Sequence, residues 1–137
     1  MNRSEFQMLA RLRLQDAALL SRGGRFDGAY YLFGLAIECA LKACICRKVR
    51  RYDFPDKKLA DRSYQHDLSK LVEAAGLEAA RLAMEKADPQ FAANWGIVKD
   101  WSNEDRYVTT GQSKAEALER AITDRRHGVM RWIRQHW

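Results

Sequence analysis

Residues 30–46, with the sequence YYLFGLAIECALKACIC, constrain the fold more than any other segment. The segment is apolar almost all the way round a helix, yet Glu38 and Lys42 stand one turn apart in its middle. A helix that is hydrophobic on every face must be covered on every face. The two charges argue against lipid as the cover, and the run is shorter than the ~20 residues that a membrane-spanning helix needs. The sequence therefore predicts the central helix of a bundle, with a second subunit completing one side of it.

Composition predicts one soluble domain covering residues 1–137. Hydrophobic residues make up 47% of the chain and prolines number only two, which is typical of a folded domain and not of a disordered tail. Three cysteines lie on the predicted central helix at spacings that fit neither a disulfide framework nor a zinc site: Cys39, Cys44 and Cys46. The N-terminus is charged within its first five residues and has no apolar run before a small-residue cleavage site, so it does not fit a secretory signal. We expect a cytoplasmic protein with reduced thiols and with neither a metal nor a cofactor.

The hydrophobic periodicity is helical throughout, and no segment shows the alternation of a strand. We predict an all-α, up-and-down helical bundle with three long and two to three short helices. The long helices are expected at 4–21, 27–49 and 113–137, starting at a Ser4–Gln7 capping box, at Asp27 and at a Ser113–Glu116 capping box. The short helices are expected at 68–75, 77–87 and 89–101, with polar connections at 50–65 and 102–112.

Glu38 and Lys42 stand four residues apart with the acid first, which is the favourable order for a helical ion pair. On a buried helix such charges must be paired, because an unpaired one would cost several kcal/mol, about 3–5. We interpret the pair as a bridge that fixes the register of a helix or subunit, with direct ligand binding as the alternative. His66, just before the predicted helix start at Asp67, is a candidate general base or a capping residue.

Basic residues are concentrated at the end of the central helix. The net charge of the chain is +6, which is compatible with a nucleic acid or nucleotide partner. Four cations fall within five positions: Arg47, Lys48, Arg50 and Arg51. Interaction with the helix macrodipole explains one or two of them. The surplus makes the cluster a candidate phosphate site, with a solvated helix end as the alternative.

Arg106 and Tyr107 follow two tryptophans in the segment WGIVKDWSNEDRY at 95–107. An arginine beside an aromatic ring can stack on a base or hold a phosphate. The alternative is that the guanidinium pairs with a neighbouring carboxylate: Glu104, Asp105 or Asp100.

The predicted final helix carries a cationic stripe opposite an apolar face. The stripe consists of Arg120, His127, Arg131 and Arg134, and the apolar face of Leu118, Ile122, Val129 and Ile133. A solvated polar face would explain the stripe as well as a binding surface would, because acidic residues are interspersed with it.

Three segments, in their order along the chain, resemble the HEPN domain. They are AYYLFGLAIECALKA at 29–43, HDLSKLVEAAGL at 66–77 and WGIVKDWSNEDRY at 95–107. The resemblance implies a helical bundle that commonly forms homodimers, found in prokaryotes beside nucleotidyltransferases, in toxin–antitoxin systems and in phage defence. Many members are metal-independent ribonucleases, with an arginine followed after four to six positions by a histidine, and two such pairs meeting in a dimer cleft.

Two pairs match that spacing, Arg120 with His127 and Arg131 with His136. On a continuous helix the first pair points within ~20° and rises ~10 Å, whereas the second diverges by about 140°. Arg120 and His127 are therefore the better catalytic candidates. In the family the residue after the arginine is usually polar, whereas here it is Ala121 or Trp132, which departs from that pattern.

The resemblance and the basic surfaces together favour a non-catalytic, dimeric module that binds a nucleotide, RNA or a protein partner such as an antitoxin or a nucleotidyltransferase. The alternative is a ribonuclease toxin or defence effector that uses Arg120 and His127 across the dimer. A third hypothesis is a helical adaptor that does not bind nucleic acid. No membrane association is expected.

Overall fold

The computed structural model describes residues 1–49 and 57–137, and within them it contains α-helices, one 3-10 helix and no strand. The prediction of an all-α bundle is confirmed. The eight α-helices are α1 (Arg3–Arg22), α2 (Phe26–Lys48), α3 (Lys57–Ser63), α4 (Leu68–Ala74), α5 (Glu78–Ala87), α6 (Pro89–Val98), α7 (Gln112–Thr123) and α8 (Val129–Arg134). The 3-10 helix covers Asn103–Tyr107, between α6 and α7.

Helix α2 is the centre of the bundle, as its sequence predicts. It packs against α1, α4, α7, α8 and the 3-10 helix. No residue from 30 to 46 is exposed, so a single chain already covers this helix. It is long and apolar enough to cross a membrane by composition alone, but 72% of that stretch is buried inside the bundle. A homodimer stays a prediction, and α2 does not require one.

The N-cap of α1 is not the residue that the sequence predicts. Asn2, not Ser4, is the N-cap: its side chain accepts a hydrogen bond from the Glu5 backbone N–H, and the Glu5 side chain accepts one from the Asn2 N–H. The side chain of Asn2 thus reaches the N3 position that a capping box requires. The helix ends at Gly23 and Gly24, and Gly24 has φ +75, which suits glycine.

The start of α2 also differs from the prediction. The helix begins at Phe26, and Arg25 occupies the N-cap position without a side-chain hydrogen bond. Asp27, predicted as the cap, lies inside the first turn, where its carboxylate accepts a hydrogen bond from the Thr110 backbone N–H. Asp27 therefore ties the start of α2 to the segment that leads into α7.

The predicted polar connection at 50–65 contains α3, which has no fully buried residue and packs against the core through the partly buried Leu59. The capping of α4 is confirmed, because the Asp67 carboxylate accepts from the Lys70 backbone N–H at 3.1 Å. Gly76, with φ +72, follows this helix as predicted. Asp88 caps α6 and Pro89 occupies its first turn, also as predicted.

Two further boundaries differ. Helix α6 ends at Val98, and the expected polar loop after it contains the 3-10 helix, which Ser102 caps. The Ser113–Glu116 capping box does not form, since α7 begins at Gln112 with Gly111 at the N-cap.

The third long helix of the prediction is two helices, α7 and α8, and the expectation of one continuous helix is wrong. Asp124 ends α7, and its Oδ1 accepts hydrogen bonds from the backbone N–H groups of Arg126 and His127. Gly128 fits the tight turn, because a Cβ there would lie 2.4 Å from the Asp124 carbonyl oxygen. The break preserves the predicted apolar face: Leu118, Ile122, Val129 and Ile133 are all buried.

Candidate functional site

Glu38 is the centre of a buried ionic cluster. Its Oε1 accepts from Lys42 Nζ at 2.8 Å and lies 2.9 Å from His66 Nδ1. The residue is only 4% exposed, whereas the His66 side chain is half-exposed. The ion pair expected from the spacing is present, and His66 joins it from the turn before α4. His66 therefore links the start of α4 to α2 through Glu38, whereas the Glu38–Lys42 pair lies within α2, and its role in register stays a prediction.

Trp101 covers the turn of α2 that precedes Glu38. An ideal Cβ on Gly34 would lie 2.0 Å from Cε2 of this indole, so only glycine allows the approach. Tyr31 stacks on the same ring with a centroid distance of 5.9 Å. Two buried polar atoms in this region have no hydrogen-bond partner in the described chain, Glu38 Oε2 and Trp101 Nε1.

The predicted phosphate cluster at the end of α2 is divided between separate contacts. Arg47 Nη1 donates to the His136 carbonyl oxygen at 3.1 Å, and Lys48 Nζ donates to the Ala74 carbonyl oxygen at 3.1 Å. These cations hold the ends of α8 and α4 against α2. Arg50 and Arg51 lie outside the described residues.

Arg106 and Tyr107 remain together on the surface. The guanidinium lies over the Tyr107 ring at 4.7 Å from its centroid, and both side chains are exposed. No ion pair of Arg106 occurs within residues 1–49 and 57–137, so the interpretation that a neighbouring carboxylate holds it is wrong. The guanidinium makes a cation–π contact with the adjacent ring instead.

Arg120 and His127 lie on opposite sides of the break in the predicted final helix. Arg120 is exposed in the last turn of α7, whereas His127 belongs to the turn that leads into α8. The angle and the rise predicted for this pair require one continuous helix, so they do not apply here. No hydrogen bond joins the two side chains in the described chain.

His127 is instead held by Asp88. Its Nδ1 lies 2.6 Å from Asp88 Oδ2, and Asn94 Nδ2 donates to its carbonyl oxygen at 2.9 Å. The hydrogen bond with His127 is the main reason that the pKa of Asp88 lies below its ordinary value. The His127 side chain is 30% exposed, and its Nε2 has no partner within the described residues.

Arg131 and His136 are also apart. The His136 ring packs against Trp132 with a centroid distance of 5.3 Å, and burial, followed by the charge of Arg47, lowers its pKa. Arg131 donates to the Arg126 carbonyl oxygen at 3.4 Å.

A groove between α1, α7 and α8 brings two arginines of the predicted cationic stripe together with a third that the prediction overlooked. It has a volume of about 620 Å³, and Arg125, Arg131 and Arg134 line it. None of the three forms an ion pair within the part of the chain that the structure describes. Asp124 also lines the groove, but the two backbone N–H groups of the turn occupy one of its oxygens.

Leu14, Ile122 and Met130 also line the groove, but Ile122 and Met130 are buried at 0% and 3% exposure, whereas Leu14 is half-buried. One end of the groove continues into an arginine–tryptophan stack. The guanidinium of Arg134 lies 5.9 Å from the centroid of Trp137, and that of Arg11 lies 5.0 Å from it. The groove thus combines three arginines that form no ion pair in the described chain with a tryptophan at one end, an arrangement that suits an anion such as a phosphate group.

Sequence reasoning found Arg131 and Arg134 as part of the cationic stripe but missed Arg125. The tandem Arg125–Arg126, placed between Asp124 and Gly128, was the available signal, because Asp and Gly mark a turn that would concentrate those charges.

Comparison with known proteins gives no relative: neither a family model, nor a curated protein, nor a solved structure matches this chain.

Proposed function

We propose that this chain is a HEPN-like helical module that binds RNA through the groove between α1, α7 and α8. The observation that carries the proposal is that Arg125, Arg131 and Arg134 line one groove without an acidic partner in the described chain. Arginine is the side chain best suited to phosphate, because its planar fork donates two parallel hydrogen bonds.

The residues that line the groove favour single-stranded RNA. Single-stranded RNA exposes its bases, which can rest on apolar or aromatic surface while the phosphates face cations. Here the three arginines supply the cations, and half-buried Leu14 supplies apolar surface beside them. The net charge of +6 adds a long-range attraction that accelerates encounter with a polyanion.

The test is fluorescence anisotropy with a labelled 12-nucleotide oligouridylate at 50 and 200 mM salt. We expect binding that weakens steeply with salt, and a loss of roughly tenfold or more in affinity for the triple variant Arg125→Gln, Arg131→Gln, Arg134→Gln. The salt dependence of the variant should also be shallower, by about two units in the log–log slope, since each lost phosphate contact removes ~0.7.

The matched control removes the same charge elsewhere, from three exposed cations on α3, α4 and α5: Arg62, Lys70 and Lys86. Its affinity should stay close to that of the unchanged protein. If both triple variants lose affinity equally, the groove is not the site. If the unchanged protein shows no salt-dependent binding, RNA is not its ligand.

A ribonuclease is the second candidate function, and one observation favours it. Asp88 orients the His127 ring at 2.6 Å while Nε2 stays without a partner in the described residues. A carboxylate-oriented imidazole can accept the proton of a ribose 2′-hydroxyl. The 2′-oxygen would then attack the phosphorus, the 5′-oxygen would leave with a proton, and a 2′,3′-cyclic phosphate would form. Arg120 would have to reach the phosphate from another subunit, because it is not joined to His127 within the chain.

Metal-free cleavage of RNA by the purified protein tests this second candidate. His127→Ala should abolish cleavage, and induced expression of the unchanged protein should arrest growth when that of the variant does not. If the protein binds RNA and the RNA stays intact, the ribonuclease hypothesis is excluded and the binding-module hypothesis is retained. An antitoxin or a nucleotidyltransferase as the physiological partner stays a prediction from the resemblance.

A further inference from the structure

The outer face of α1 presents an exposed apolar stripe. Met8, Leu12 and Leu19 are 52%, 41% and 62% exposed, although each is a large hydrophobic side chain. The opposite face of the same helix is covered by α2, with Ala10 and Ala17 fully buried. The stripe therefore lies on the side of α1 that the described part of the chain leaves open.

The stripe has the spacing of a helix-pairing seam. Residues 8, 12, 15 and 19 are separated by four, three and four positions, which is the alternation that places side chains along one line of a two-helix contact. Gln15 is the single polar member and is exposed. One polar residue in such a seam typically fixes the register and number of helices, since its partner must be polar too.

Charges flank the seam in a complementary way. Arg11 lies on one side of it and Asp16 on the other, five positions apart. When two copies of a helix pair in parallel, the opposite flanks meet, whereas an antiparallel pair brings like flanks together. Parallel pairing would set Arg11 against the partner subunit's Asp16, twice by symmetry.

Both charged groups have capacity for such a contact. Asp16 uses Oδ2 to accept from Arg13 at 2.7 Å, and its Oδ1 has no partner within the described residues. The only contact described for Arg11 is the stacking of its guanidinium over Trp137. A new hydrogen bond from Arg11 therefore does not require an existing one to break.

We propose that a second copy of this chain covers the stripe, so that two α1 helices pair in parallel through Met8, Leu12, Gln15 and Leu19. The pairing does not depend on RNA binding. It also leaves α2, which the chain covers by itself, outside the interface.

Sedimentation equilibrium of the full chain tests the pairing. We expect a dimer, and at least a tenfold rise in its dissociation constant for Leu12→Arg, because the charge would be buried at the seam in both copies. Leu82→Arg is the matched control: Leu82 is 50% exposed on α5, so this variant should dimerise like the unchanged chain. Arg11→Asp should weaken the dimer, and Arg11→Asp with Asp16→Arg should restore it. Circular dichroism checks that every variant is folded.

Disulfide trapping tests the direction of the helices. In a parallel pair the two copies of residue 15 face each other within disulfide reach, whereas in an antiparallel pair offset along the seam they do not. Gln15→Cys should therefore form a covalent dimer under mild oxidation, against the unchanged chain as control for its own thiols. A monomer at all concentrations, or a dimer that Leu12→Arg leaves intact, overturns the proposal. A Leu12-dependent dimer without the Gln15→Cys cross-link overturns the parallel arrangement.

Discussion

The indole of Trp101 lies directly against the backbone of Gly34, with Cε2 at 2.0 Å from where a Cβ would stand. The contact joins the segment that follows α6 to the first half of α2, and both partners are buried. Because the atoms that block the Cβ belong to a large ring packed under Tyr31, the ring cannot move aside without losing that stacking.

Gly34→Ala should therefore destabilise the protein. We expect a loss of about 1–3 kcal/mol in the free energy of unfolding, the usual cost of overpacking a core. Urea unfolding followed by Trp fluorescence measures it. Gly96→Ala, in α6, is the control: nothing lies within 4 Å of its Cβ position, so alanine should stabilise the helix by about 0.5–1 kcal/mol. Equal effects of the two substitutions would mean that the Trp101 contact is not close.

The Glu38–Lys42 pair should show a large energetic coupling. Removing either charge alone leaves the other largely buried, at 5% and 16% side-chain exposure. We expect the two single variants, Glu38→Met and Lys42→Met, to lose together more free energy of unfolding than the double variant loses. The coupling energy between the two residues should be about 1–3 kcal/mol. Urea unfolding of the four proteins gives the value.

The exposed pair Arg13–Asp16 provides the comparison. Its coupling energy should stay below about 1 kcal/mol, as is usual for surface pairs. A Glu38–Lys42 coupling no larger than this would show that solvent reaches the buried pair.

The thiols should differ sharply in reactivity. Burial raises the pKa of Cys44 to about 12, and burial also raises the pKa values of Cys39 and Cys46. Because the thiolate is the reactive form, Cys39 and Cys44 should react with a thiol reagent only after unfolding, whereas half-buried Cys46 should react slowly in the native state. A count of reacted thiols at pH 8, with and without denaturant, measures this, and Cys46→Ser removes the native signal.

Acid should weaken the tie between α6 and the α7–α8 turn. The folded pKa of Asp88 lies below 3.8, chiefly because of its hydrogen bond with His127, so the carboxylate stabilises the fold above that pH. The contribution is lost as the pH falls through the lower, folded pKa. Asp88→Asn keeps an N-cap side chain for α6 but removes the titrating group.

We therefore expect the variant to be less stable than the unchanged protein at pH 6, with the difference shrinking in acid. Thermal unfolding between pH 6 and pH 3 tests this. A difference that is independent of pH would show that Asp88 acts through its cap alone.

The sequence predicts the helices better than the connections between them, for a physical reason. Asp67, Gly76 and the Asp88–Pro89 pair act within one turn of themselves, so their effects are visible in a local pattern. The break between α7 and α8 depends on Asp124 competing with the helix for the same N–H groups, inside a stretch whose apolar period continues across the turn. Periodicity alone cannot show that competition.

The candidate site was harder to predict from the sequence than the helices were. His127 contacts Asp88, 39 positions earlier in the chain, and Leu14 on α1 lines the groove beside arginines that follow α7. Such contacts arise only when helices that are distant in the chain pack together. The Glu38–Lys42 pair was predictable because both residues stand on one helix, whereas the contribution of His66 to it was not.

The order of the helices has a consequence for how the molecule assembles. The largest interface in the bundle joins α1 to α2, which follow each other in the chain with only a short turn between them. Closing such a small loop loses little chain entropy, and local contacts favour rapid folding. We therefore expect α1 and α2 to pair early in folding, and the later helices to dock onto this hairpin.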